Sequence, residues 1–281
     1  MKKSIFLIML YYGLANAQIL APQPSPQAKI EQKVGLTDIA IDYSRPSMRG
    51  RKIMGELVPY GELWRAGANR NTTLTFSDNI IMGNQGLASG TYAIYVRPGV
   101  SMWEVFFYTK TDNSGLPEEW DSKMIAAAIE APTSTLESPV ETFTISIENI
   151  NNNGATLEFK WETTKILIPF EVPTDAKTMA SIEKTLNETP KSGDYYAAAV
   201  YFRETNRDLT IAKQWIAKAI EQDPGKYWMY RQQALILADL NEIKAAIEAS
   251  KKSLELAEKA GNKDYVRLNN KSIEEWSKKG I

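Results

Sequence analysis

The stretch FTISIENINNNGATLEFKW, residues 143–161, decides the class of the first half of this chain. Phe143, Ile145 and Ile147 alternate with Thr144, Ser146 and Glu148. Leu157, Phe159 and Trp161 alternate with Glu158 and Lys160. A period of two turns one set of side chains toward a core and the other toward water. Between the two runs, Asn151-Asn152-Asn153-Gly154 supplies residues that accept the positive φ of a tight hairpin. The same alternation recurs upstream at Thr37, Ile39, Ile41 and Tyr43, at Tyr92, Ile94 and Val96, and at Trp103, Val105 and Phe107, with turns at Gly83-Asn84 and Pro98-Gly99. About nine short strands at this spacing, from Lys29 to about Val172, predict an antiparallel β sandwich or barrel.

The pattern changes near Pro173. From Asp175 the period is helical, Ala and Lys rise, and runs of β-branched residues stop. Ala212 and Ala219 are followed 34 residues later by Ala246 and Ser253, and Tyr196 by Tyr230, whereas Pro224 has no counterpart. Small residues at such a period let paired helices approach closely and stack. The spacing resembles tetratricopeptide repeats, and helices are expected at 177–188, 193–206, 209–222, 226–239, 242–260 and 263–278, the last a capping helix. The fold class is therefore α+β in two domains, 29–172 and 173–281, the second an all-α set of tetratricopeptide-like repeats.

Residues 1–17 read as an export signal. Lys2 and Lys3 precede a short apolar run from Ser4 to Leu14, and Ala15-Asn16-Ala17 provides small residues for cleavage. Residues 18–28, rich in Pro, Gln and Ser, are expected to form a flexible arm. No later segment has the roughly 20 apolar residues of a membrane helix, so no membrane span is expected. The expected location is the periplasm or cell surface. With no cysteine there is no thiol for a lipid anchor or a disulfide, and with no histidine there is no Ser-His-Asp or Cys-His system and no imidazole-ligated metal. No cofactor and no metal are implied. A formal net charge of −1 gives no nucleic-acid signal.

Against that background the segment from Tyr43 to Thr72 stands out. It holds five arginines, four glycines, two prolines and Trp64 between two strand-like runs, and it lies in the more acidic half of the chain. A connection of this length is either functional or disordered. Ile53, Leu57, Val58, Tyr60 and Leu63 mark this one as ordered. Two readings of its arginines stand. Arg45, Arg51, Trp64, Arg65 and Asn69 form a binding set, since guanidinium groups grip carboxylates or phosphates bidentately and an indole offers a stacking face. Alternatively the arginines tie the segment to its own domain through backbone carbonyls and acids such as Asp38, Asp42, Glu56 and Glu62, the more ordinary use of such residues.

The block Tyr43-Ser44-Arg45-Pro46, Gly50-Arg51-Lys52-Ile53 and Leu57-Val58-Pro59-Tyr60-Gly61-Glu62-Leu63-Trp64-Arg65-Ala66-Gly67-Ala68-Asn69, preceded by Gly35-Leu36-Thr37-Asp38, closely resembles the bacterial domain-of-unknown-function family numbered 2911. Gly90-Thr91-Tyr92 and Trp103-Glu104-Val105 fit the same resemblance, which spans roughly residues 24–165. It implies an exported bacterial protein and no particular activity.

Other motifs are weaker. Glu118-Glu119-Trp120-Asp121 sets two acids beside an indole, but adjacent loop residues do not supply the two carboxylates about 5–10 Å apart that glycoside hydrolysis needs. Ser181 and Lys184 match Ser-x-x-Lys without its companion elements. Asn71-Thr72-Thr73 and Asn187-Glu188-Thr189 are sequons that matter only in a eukaryotic secretory route. No glycine-rich phosphate loop is present. On the repeats, Arg203, Arg207, Arg231 and Lys213 are candidates for a groove taking an acidic or C-terminal carboxylate of a protein partner. The leading expectation is a non-catalytic binding or scaffold protein. The helical repeats would take a protein partner, and the arginine segment an anionic small molecule or glycan. The rival is an enzyme using the same arginines with Asp42, Glu56 or Glu62 as base.

Overall fold

The computed structural model describes residues 21–279. The expected export signal lies outside the described residues. The chain parts between Thr174 and Asp175 into two compact units.

The first unit is an antiparallel sheet of nine strands: β1 (Gln27–Val34), β2 (Thr37–Ser44), β3 (Thr73–Phe76), β4 (Ile80–Met82), β5 (Gln85–Leu87), β6 (Gly90–Pro98), β7 (Met102–Tyr108), β8 (Ile125–Asn151) and β9 (Gly154–Glu171). Their order is β1-β2-β3-β6-β7-β8-β9-β4-β5, an open sheet with β1 and β5 at its edges. The sheet folds over on itself, because strands that are not neighbours meet through their core faces. Tyr43 of β2 lies edge-on to Phe143 of β8 at 6.0 Å, and Phe76 of β3 meets Phe170 of β9 at 6.2 Å. The Tyr43 hydroxyl donates to the carbonyl of Ile145 and accepts from its N–H, fixing this crossing. One continuous core results, running from Ile39, Ile41 and Leu74 to Leu157, Phe159 and Trp161.

The strands are not all short. β8 has 27 residues and β9 has 18. The first part of β8, up to Pro132, pairs with β7, and the remainder pairs with β9, so one strand serves both layers. The register slips between Thr135 and Val140, and again before Thr144. Pro139, which has no N–H to donate, lies in that interval and breaks the alternation that would have revealed the strand's continuity. The hairpin at Asn151–Gly154 falls where the sequence puts it. The start of the sheet differs. Gln27 and Ala28, expected in the flexible arm, already pair with Ser44 and Tyr43.

β6 and β7 are buried on both faces. Tyr95, Phe106 and Tyr108 form a second, smaller cluster on the outer face, closed by Leu63 and Trp120. Trp120 stacks on Tyr108 at 4.7 Å and 19°.

The second unit contains six helices among the described residues: α1 (Thr174–Leu186), α2 (Ser192–Glu204), α3 (Leu209–Gln222), α4 (Tyr227–Asp239), α5 (Ile243–Lys259) and α6 (Lys263–Lys279). Asp208 caps α3 by accepting from the N–H groups of Thr210 and Ile211. Ala212, Ala219, Ala246 and Ser253, the small residues of the 34-residue period, are all fully buried. Trp276 on α6 closes the end of the stack over Leu237, Ala246 and Ala249. No described helix is long and apolar enough to cross a membrane. Because Ala246 is fully buried in the cluster with Leu237, Ala249 and Trp276, Ala246→Leu should cost about 1–3 kcal/mol by overpacking. Urea unfolding followed by far-ultraviolet circular dichroism reads this, and an unchanged midpoint would show that the small-residue period is incidental.

Candidate functional site

The crossing from β2 to β3 is ordered by its own apolar residues. Ile53, Met54, Val58 and Ala66 are buried in the main core, and short bridges join Ser47 to Thr142 and Trp64 to Val96. Ala66 is forced to a positive φ of 49°, a conformation that costs a non-glycine residue of order 1–3 kcal/mol. Thr72 holds it there, its hydroxyl donating to the Ala66 carbonyl at 2.6 Å. Gly67 follows because a β-carbon there would lie 2.8 Å from the Thr72 hydroxyl and 3.0 Å from the Ser44 carbonyl. This strained pair sets the direction of the preceding residues, Trp64 and Arg65.

The five arginines divide by what they touch. Arg45 is half-buried and turned to β8, where its Nε donates to the Phe143 carbonyl and its Nη2 to the Thr144 hydroxyl. Arg51 donates to the carbonyls of Met48 and Ser47, and Arg49 to that of Pro24. Arg65 has a buried Nε with no partner. Among the described residues none of the five forms an ion pair. The acids expected to meet them are engaged elsewhere: Asp38 with Lys33, Glu56 with Lys52, and Asp42 with the Gln27 amide. Glu62 is exposed. The ties to backbone carbonyls are thus present, and the ties to carboxylates are not.

Arg49, Arg51 and Arg65 line one cleft of about 360 Å³, together with Trp64, Trp161 and Pro24, and no acid is among its lining residues. Trp64 stacks on Trp161 at 5.5 Å and 22°, and its indole N–H donates to the Gly67 carbonyl. Three guanidinium groups that form no ion pair among the described residues, beside a half-buried indole, are suited to a ligand carrying carboxylate, phosphate or sulfate, although the Glu141 carboxylate accepts from the Arg49 backbone N–H at 2.8 Å. A second cleft of about 500 Å³ adjoins it, lined by Asn69, Arg70, Asp42 and Thr111 among others, and Ser25 lines both.

Of the expected set, Arg51, Trp64 and Arg65 therefore share a cleft. Arg45 does not join them, because its guanidinium is held by β8. Asn69 faces the neighbouring cleft, donating to the Ser25 carbonyl and the Ser44 hydroxyl. Arg49 and Arg70 belong to the same segment but were not singled out. Trp161 gave no separate signal, since its alternation on β9 marks it only as core.

The remaining candidates fall outside these clefts. Glu118 and Glu119 are exposed loop residues, and Ser181 and Lys184 are exposed on α1. Asn71 of the first sequon is 6% exposed and donates to the Tyr95 hydroxyl. In the helical unit, Arg203 pairs with Asp239 at 2.7 Å, Lys213 with Glu242 at 2.6 Å, and Arg207 grips both oxygens of Asp175. That grip, aided by the Tyr201 hydroxyl, holds Asp175 below the usual carboxylate range. Arg231 donates to the Ser272 hydroxyl and lines a groove of about 430 Å³ with Asp239, Lys271, Glu275 and Trp276. Burial, and secondarily the nearby charge of Arg203, lowers its pKa.

An open antiparallel β domain with an acid-free arginine cleft, joined to a stack of helices, is the class of protein these features define. Residues 25–170 match the model of the family described as Protein of unknown function (DUF2911), and the chain belongs to that family. No curated protein matches the chain.

Proposed function

We propose that this is an exported, non-catalytic binding protein of the bacterial periplasm or cell surface, whose β domain takes an anionic ligand in the arginine cleft and whose helical repeats take a protein partner. One observation carries the first half: Arg49, Arg51 and Arg65 line a single open cleft without a carboxylate among its lining residues. Arg49 and Arg51 are exposed and Arg65 is half-buried with its Nε orphaned, so the cost of uncompensated charge falls on Arg65. An unpaired set is suited to being completed by a ligand. The cleft lining itself holds no carboxylate to act as a base, which favours binding over catalysis.

Titration calorimetry of the full chain with citrate tests the reading. Binding should be measurable and should weaken as sodium chloride rises, while an uncharged polyol of similar size gives no heat. Citrate affinity that is absent, or indifferent to salt, sinks it. For the repeats, the support is the open groove where Arg231 and Lys271 stand with Asp239 and Glu275 beside the indole of Trp276, a mixed-charge wall suited to a polar protein surface. Recovery of the same partners from envelope extracts by the native chain and by the Arg231→Glu, Lys271→Glu double variant would end that half of the proposal.

A further inference from the structure

The two clefts of the β domain have different chemistry and a common wall. Ser25 lines both, and the strap carrying it is held on each side by a cleft residue: Arg49 donates to the Pro24 carbonyl and Asn69 to the Ser25 carbonyl. The arginine cleft is dominated by positively charged donors and an indole face, with the Ser25 and Ser47 hydroxyls beside them and no carboxylate. The polar cleft offers mixed groups, with the Asp42 carboxylate as acceptor, the Arg70 guanidinium as donor, and the Thr73 and Thr111 hydroxyls as both. Arg70 is exposed and its guanidinium makes no hydrogen bond or ion pair among the described residues. Behind it, Asn71, 6% exposed, has a side-chain oxygen without a partner. Each cleft lies within the roughly 300–1,000 Å³ range of small-molecule sites.

We infer that the ligand is an acidic oligosaccharide bound across both clefts, its carboxylate or sulfate seated among Arg49, Arg51 and Arg65 and an adjoining sugar unit placing its hydroxyls against Asp42, Arg70 and Thr111. This rests on the reading of the arginine cleft as an anion site. A saccharide unit presents donors and acceptors in alternation around a ring, which matches a wall holding both kinds of group. A simple anion has acceptors only and would meet the Asp42 carboxylate, whose Oδ1 already accepts from the Gln27 amide, with like charge and no donor to offer it. A polycationic or purely apolar ligand is excluded by the three arginines. Occupying the second cleft turns two weak contacts into one linked event, so affinity should rise with chain length until both clefts are filled and then level off.

The experiment is calorimetry on the full chain with galacturonic acid, its dimer and its tetramer, a heparin-derived tetrasaccharide, and uncharged cellotetraose. The acid tetramer should bind at least about tenfold more tightly than the monomer, and cellotetraose at least as much more weakly than the tetramer. Asp42→Ala should bring the tetramer down to the affinity of the monomer while leaving the monomer unchanged. Thr111→Val, which sits in a loop and spares the strands, gives a second reading if Asp42→Ala lowers folding stability. A preference between the galacturonate and heparin chains assigns the acid group and leaves the inference standing. Equal affinities for monomer and tetramer, or a tetramer indifferent to both substitutions, overturn the two-cleft assignment while the anion site survives. Cellotetraose binding as tightly as the acid tetramer overturns the requirement for acid. No binding by any acid, citrate included, removes the anion site itself.

Discussion

Trp161→Ala should lower the folding stability of the β unit by about 3–5 kcal/mol, the range for truncating a large buried aromatic. Trp161 is 2% exposed and stands where three parts of the fold meet. Its ring stacks on Trp64 of the arginine segment and lies 5.7 Å from Phe143 of β8, and its indole N–H donates to the Glu141 carbonyl at 3.2 Å. Truncation removes dispersion contacts on two sides and leaves a cavity that neither strand pair can close without breaking its ladder. It also strips the Glu141 carbonyl of a donor beside the register slip in β8. At about 2–4 °C per kcal/mol for a domain of this size, the thermal midpoint should fall by roughly 6–20 °C. Trp161→Phe keeps part of the ring and loses the indole donor, so it should fall between the two. Because Trp161 also lines the arginine cleft, citrate binding should weaken in both variants even at temperatures where they remain folded. A midpoint within about 2 °C of the native chain would show that the Trp64–Trp161 stack does not hold the segment in place.

The elements were legible where local chemistry alone decides them. Alternation located β2, β6 and β7, the asparagine-rich turn located the β8–β9 hairpin, and the 34-residue spacing of Ala212, Ala219, Ala246 and Ser253 located the helical stack, because each is a short-range consequence of burial on one face. What could not be read is what long-range pairing decides. The 27-residue length of β8 was hidden by Pro139 and the slip around it, and its double membership depends on two different partners. The start of β1 at Gln27 was hidden for a related reason, since a Pro- and Gln-rich stretch has little intrinsic strand preference and is ordered by pairing with Ser44.

The site divides in the same way. That Ile53, Val58 and Leu63 mark an ordered segment was legible, because apolar residues in a connection must be buried somewhere. Which arginine faces open space was not, since it depends on β8 capturing Arg45 from across the sheet and on the strained turn at Ala66 and Gly67 directing Arg65. The sequence also offers no sign that Asp38, Asp42 and Glu56 take Lys33, Gln27 and Lys52 instead of the arginines. That choice is made by cross-strand neighbours and by the i, i+4 spacing, and it is what leaves the cleft positively charged.

Arg65→Met should reduce citrate affinity by about 10- to 150-fold, corresponding to the loss of a charge-assisted interaction of about 1.5–3 kcal/mol, yet leave the protein as stable as before or more so. The two effects separate because of how Arg65 is held. Its Nε is buried without a partner, which carries a desolvation cost that folding must absorb, of order 1–3 kcal/mol for an unsatisfied polar group. No carboxylate offsets it. Methionine follows the same path with an unbranched, flexible stem, keeps most of the contacts of the arginine methylenes, and removes the orphaned donor. An arginine whose role is to hold the segment together would behave in the opposite way, its removal lowering the thermal midpoint and affecting binding only through loosened structure. Arg65→Lys sharpens the distinction. The charge stays and the bidentate fork is lost, so binding should fall between the native chain and Arg65→Met, with a stability close to that of the native protein. Thermal midpoint and citrate affinity measured on the same three preparations decide the matter: a midpoint that drops by more than about 4 °C in Arg65→Met with binding unchanged would make Arg65 a structural residue, and the acid-free cleft a by-product of packing.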